Sequence, residues 1–172
     1  MNNSVNSNIY AFDAARVLEK YSDFAQGDAN RVVVVVSERA LSSAAVDAIR
    51  KSVDKIGFGA DACAWLNLVS ERSRIDAEGD GPSGQDVVGR GCLTSDDVYD
   101  FIEGIDPICV VVADASSAKA VAQSYGEEVD CDAVNRVNGR TVVAFRNFEG
   151  MLDDEDSKQR AWRLLKRLHP MV

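Results

Sequence analysis

Few side chains in this 172-residue chain could do chemistry, and they are scattered. The single histidine, His169, stands three residues from the C-terminal end, so a Ser-His-Asp or Cys-His arrangement would need a frayed terminus to enter a pocket. Cys63, Cys92, Cys109 and Cys131 are widely separated with no C-x-x-C pair. That spacing argues against a zinc site and against a dithiol redox motif. Cys63 and Cys109 lie in apolar runs, where a free cysteine behaves as a small buried hydrophobe. The acidic clusters Asp96-Asp97 and Asp153-Asp154-Glu155-Asp156 stand where helices should open, and the helix dipole favours negative charge there, so no metal site is expected. What remains is a set of polar residues just at or after apolar runs: Glu38, Asn67, Asp114 and Asn147. A carboxylate in that position can activate water, and a carboxamide carries both a donor and an acceptor for a planar amide-like edge.

These residues are positioned by alternating strands and helices. Residues 1–8 are polar and form an expected disordered lead. Residues 9–172 form one domain, whose first helix carries Tyr10, Ala14, Val17, Leu18 and Tyr21 at helical spacing. Five consecutive valines, Val32–Val36, predict a strand buried on both faces, and the apolar runs 62–69, 108–113 and 141–145 predict three more. Between them, Ser42 or Ser43 can cap a helix with Val46, Ile49, Val53 and Ile56 inward, closed by Gly57 and Gly59. Thr94 and Asp97 form a capping-box pattern ahead of Val98, Phe101, Ile102 and Ile105. A short helix follows from Ser116 to Tyr125. Asn138-Gly139 marks a tight turn, and a closing helix from Ser157 places Ala161, Leu164, Leu165 and Leu168 inward. Strand–helix alternation predicts an α/β fold, a three-layer α/β/α sandwich with a central four-stranded parallel sheet. In such sheets ligands bind beyond the carboxyl ends of the strands, where the polar residues above fall. Residues 72–91 are polar and rich in glycine. They lack the lysine of a phosphate-binding loop, do not directly follow a strand as a dinucleotide fingerprint would, and are expected to form a long loop.

In this order the segments resemble the uracil-DNA glycosylase superfamily, in particular the branch that carries an iron–sulfur cluster. The resemblance runs from about Arg31 to Leu168. It rests on VVVVVSERA (32–40) for the first strand and its acidic loop, AWLNLVSER (64–72) for the second strand, and IDPICVVVADASSA (105–118) for the third. The segment from Val142 to Leu168, with Lys158 and Ala161-Trp162, is similar to the family's last strand, His-Pro-Ser loop and closing helix. The resemblance implies catalytic positions at Glu38 and Asn147, and ligand contacts from Asn67, which matches the asparagine that reads the uracil edge, and from Phe148. The first and third strands should lie side by side at the sheet centre. The same comparison shows what is missing. The first loop, Ser37-Glu38-Arg39-Ala40-Leu41, lacks the family's glycines and proline, no aromatic stacker follows it, and the histidine position falls on Asn147. Glu71 replaces a cluster cysteine, so no iron–sulfur cluster and no other cofactor is expected. Asp114 resembles the phosphoacceptor of a receiver domain, but the first strand ends in Ser37-Glu38 rather than an acidic pair.

Hydrophobic residues make up 46% of the chain and charged residues 27%, and no apolar run is long enough to cross a membrane; a cytoplasmic location is expected. The net charge of −9 disfavours nucleic acid, whose phosphates need clustered bases. Lys158, Arg160, Arg163, Lys166 and Arg167 do gather on the closing helix, either as a solvated face or as a phosphate track. Three functions follow. The leading one is a divergent glycosylase-like domain that is catalytically inactive and binds a partner protein or a nucleobase-like ligand. The others are an active divergent DNA glycosylase hydrolysing an N-glycosidic bond, and a structural interaction module with no ligand pocket. Glu38 is then a water activator or a surface acid, and Asn67 a ligand contact or a residue satisfied by neighbouring backbone.

Overall fold

The computed structural model describes residues 4–28, 31–70 and 91–168; His169, Glu71 and nearly all of the glycine-rich stretch lie outside them. In chain order the elements are α1 (Ser4–Lys20), β1 (Ala25–Gln26), β2 (Val33–Ser37), α2 (Ser43–Ile56), β3 (Cys63–Asn67), α3 (Ser95–Ile105), β4 (Cys109–Val112), α4 (Ala115–Tyr125), β5 (Ala133–Val137), β6 (Arg140–Ala144) and α5 (Glu155–Leu165). Short 3-10 turns at Gly150–Leu152 and Lys166–Leu168 flank α5. Helix α1 starts at Ser4, inside the segment expected to be an unstructured lead.

The strands form one six-stranded mixed sheet in the order β1-β3-β2-β4-β6-β5. Its inner members β3, β2, β4 and β6 run parallel, and β1 and β5 pair antiparallel at the edges. The sheet is therefore larger than the four strands expected. Both additions lack an apolar signature: β1 has two residues, and β5 exposes Val134 and Arg136 on its outer face. Asn138 (φ 46°) and Gly139 (φ 79°) both adopt left-handed backbone, the geometry of a two-residue hairpin turn, so the turn joins β5 to β6.

Each face of the sheet is covered by helices. Val34, Val36, Leu66, Val110 and Val112 pack under α1, α3 and α4 with Phe101 and Ile102. Val33, Val35, Val111 and Val143 pack under α2 and α5 with Ile49, Val53, Phe145 and Leu165. All five residues of β2 are buried, as a strand covered on both faces must be. Caps define the helix ends. Ser42 Oγ accepts from the Ala45 N–H at 3.3 Å, and Thr94 and Asp97 form a complete capping box. Gly57 closes α2 at φ 104°.

At the rim where β4 and β6 begin, a polar cluster fastens the hairpin to the helices. Glu103 accepts from Arg140 Nη1 at 2.5 Å, Tyr125 Oη at 2.7 Å and Asn138 Nδ2 at 3.2 Å, while Arg140 also reaches Asp106 and the Pro107 carbonyl. Partial burial by itself would raise the Glu103 carboxyl, but the hydrogen bonds from Arg140 and Tyr125 outweigh it and hold the group below its ordinary value. A carboxylate with a depressed folded pKa adds stability above its unfolded value, and that contribution is lost as pH falls. Between about pH 7 and about pH 3.5 the protein should lose part of its stability through this cluster, and Glu103→Gln should be less stable at neutral pH and less sensitive to acid. Urea denaturation at the two pH values checks this, and equal acid sensitivity in both proteins would refute it.

Candidate functional site

Parallel strands in register bring their carboxyl ends to one rim. Ser37 pairs with Asn67, Val36 with Val112, and Val112 with Ala144, so Glu38, Asn67, Asp114 and Asn147 all lie along that rim. Because β2 leads outward to β3 on one side and β4 to β6 on the other, the topological switch falls between β2 and β4, where open α/β sheets bind ligands.

Here that position is taken by Asp114. Its Oδ2 accepts from the Glu38 N–H at 2.7 Å, and its Oδ1 accepts from the Ser117 N–H at 2.8 Å and from Ser117 Oγ at 2.9 Å. The carboxylate thus caps α4 and ties the exit of β2 to the exit of β4. Neighbouring loops are stitched across the same place. The Ala115 N–H donates to the Arg146 carbonyl, the Phe148 N–H to the Ala113 carbonyl, and the Ser42 N–H to Glu149 Oε1 at 2.6 Å. Both carboxylate oxygens of Asp114 are occupied by protein donors, which makes it a structural acid.

Of the four residues singled out by sequence, Glu38 and Asn147 both meet Asp114 at the rim, and Asn67 meets Ser37 beside Glu38. Asn67 is half-buried and its Oδ1 accepts from the buried Ser37 Oγ at 3.0 Å, so a neighbouring side chain, rather than backbone, takes its acceptor. Glu38 is half-buried. Its backbone is engaged by Asp114 and Val69, and its carboxylate makes no hydrogen bond among the described residues. Asn147 is exposed, bridges to Asp114 through the backbone, and folds its Oδ1 back onto the Gly150 N–H at 3.0 Å. Phe148, expected to contact ligand, is 1% exposed and packs at 5.0 Å from the Phe145 ring in the core under α5. Its apolar ring follows the loop inward because its N–H is drawn to Ala113.

An opening does exist on the other side of β6. A cleft of about 490 Å³ lies between the entry to β5, the exit of β6 and helix α5. Arg146 and Asn147 come from the β6 exit and Asp132 from the β5 entry, while Met151 and Leu164 form an apolar floor. Helix α5 adds Ser157, Arg160 and Arg163. Positions three and four apart share a helix face, which is why these α5 residues line one wall. Asp132 has a left-handed backbone (φ 57°), and its Oδ1 accepts from the Arg146 N–H at 3.1 Å. Its Oδ2 stands 3.8 Å from Arg146 Nε. The Arg146 side chain is 77% exposed, and Arg160 and Arg163 make no ion pair or hydrogen bond among the described residues. Sequence reasoning found Arg160 and Arg163 only as part of a basic helix, and it missed Arg146 and Asp132. No local signal marks those two as cleft residues, because β5, which brings Asp132 alongside β6, was not anticipated.

Cys63 and Cys109 are buried thiols of the sheet and not nucleophiles. Burial raises the Cys63 thiol to about 11 and the Cys109 thiol to about 12, and both flank Val33 on one face of the sheet. Among the described residues, no group of three or more His, Cys, Asp or Glu could hold a metal ion, and no helix is long and apolar enough to cross a membrane. No known protein family matches the chain, and no curated protein is significantly similar to it.

Asp114 gives the clearest energetic consequence. Asp114→Ala removes a helix cap, usually about 1 kcal/mol, together with a charge-assisted bond to Glu38 of about 1.5–3 kcal/mol, so the variant should lose about 2–4 kcal/mol of stability. Asp114→Asn keeps the shape and should lose less. A urea-derived change below about 0.5 kcal/mol for the alanine variant would contradict the structural role.

Proposed function

We propose that this chain is a divergent uracil-DNA-glycosylase-like domain that does not cleave glycosidic bonds and works by binding a small nucleobase-like ligand in the cleft outside β6. The observation that carries the proposal is the saturation of Asp114, whose two carboxylate oxygens hold three protein donors at the switch between β2 and β4. The order β3-β2-β4-β6 supports the architectural part, since it sets the first and third expected strands side by side at the sheet centre, as the resemblance implies.

Glycosidic cleavage needs an extruded base held on its edge, stacked, and stabilised as it leaves with negative charge. Glu38 and Asn67 sit at β2 and β3, but Phe148 is in the core and supplies no stacker, and Asn147, whose amide can donate, cannot change its charge as a histidine would. In contrast, the cleft outside β6 offers the Asn147 Nδ2 donor, the Asp132 carboxylate as acceptor and the floor of Met151 and Leu164. That combination suits a flat ligand with one polar edge. It favours a small molecule over a protein partner, because the exposed large apolar residues Phe12, Tyr99, Ile108 and Val134 lie on different elements.

Incubation with uracil-containing single- and double-stranded DNA should release free base only at the background rate. Robust release that disappears in Glu38→Gln would overturn the proposal and make the chain a working glycosylase.

A further inference from the structure

We infer that the cleft between β6 and α5 is built for the phosphate group of a small phosphate ester, held by Arg146, Arg160 and Arg163. The inference rests on reading the cleft as a ligand site, but not on the absence of catalysis.

Charge is the first ground. The chain carries −9, yet three guanidinium groups line one cleft with one carboxylate, Asp132, while Asp154 acts on Arg160 from outside the lining. With both carboxylates counted the cleft stays net positive, which favours an anion, and a phosphomonoester is a dianion above its second pKa of about 6. Like charges around one opening repel one another unless an anion lies between them. Arg160 and Arg163 have no ion-pair partner among the described residues, and the one pair Arg146 makes is long, at 3.8 Å. Arginine is also the residue whose planar fork best matches phosphate oxygens.

Shape is the second. A volume of about 490 Å³ suits a drug-sized molecule, and Met151 and Leu164 offer an apolar bed for the ester's body. The surroundings discriminate against a polymer. Asp130 stands just before the β5 entry, and Asp153-Asp154-Glu155-Asp156 leads into the α5 side. Carboxylates on both approaches repel a long polyanion, whereas one compact phosphate reaches the arginines between them.

The probe is phenyl phosphate, followed by calorimetric titration of the full chain at about pH 8, with phenol, inorganic phosphate and a short oligothymidylate alongside. Phenyl phosphate should bind and weaken as salt rises, inorganic phosphate should bind more weakly, and phenol and the oligonucleotide should not bind. Arg160→Ala and Arg163→Ala, both exposed and harmless to the core, should each weaken phenyl phosphate at least about tenfold, and Arg167→Ala, outside the cleft, less than about twofold. No heat with phenyl phosphate, or binding unchanged in both cleft variants, would overturn the inference. So would an oligonucleotide that binds more tightly than phenyl phosphate, since the arginines would then be a nucleic-acid track. Base release in the glycosylase assay leaves this inference standing, and loss of phosphate binding leaves the non-catalytic reading standing.

Discussion

One carboxylate organises the carboxyl rim of the sheet. Asp114 is partly buried at the exits of the two central strands, and its two oxygens receive three donors, from Glu38 and from both polar groups of Ser117. Those bonds start α4 at a defined residue and hold the β2 exit against the β4 exit. The β6 exit is then laid over β4 through the Asp114–Asn147 bridge and the Phe148–Ala113 bond, which turns Phe148 into the core and leaves Arg146 outside. Protein hydrogen bonds thus cross the switch point at which parallel sheets of this kind usually bind ligands.

A cleft opens at the flank of the sheet. Strand β5 and helix α5 stand on either side of the β6 exit, and their approach leaves the cleft with its arginines. Local charge there is opposite in sign to the charge of the chain as a whole, so an attraction for anions is confined to one small region. Electrostatics of this form select by size as well as by sign, because a compact anion meets the arginines before the surrounding carboxylates and an extended one meets both.

Much of the frame was legible in the residues. Val32–Val36 read as a strand buried on both faces, the Thr94–Asp97 box marked one helix start to the residue and the Ser42-Ser43 pair marked another to within one, and Val98, Phe101, Ile102 and Ile105 proved to be the buried stripe of α3. Edge strand β5 was not legible, since half of its residues face solvent and carry no apolar run, although Asn138-Gly139 with residues alternating on both sides was the available signal. Asp114 was visible as a polar residue after a strand, and Asp114-x-x-Ser117 is a capping pattern. Its bond to Glu38 was not visible, because the two are 76 residues apart.

The same division holds for the candidate sites. Periodicity, capping and turn chemistry act within a few residues, so the amino-acid sequence alone determined the helices, the inner strands, the acidic balance and the basic closing helix. Which polar residues share a site depends on strand order and on loops that meet across the rim, and these are set by packing between distant segments. Tertiary structure therefore decided that Asn67 pairs with Ser37, that Phe148 is core, and that Arg146 from β6 faces Arg160 and Arg163 from α5 across a cleft that no local pattern could announce.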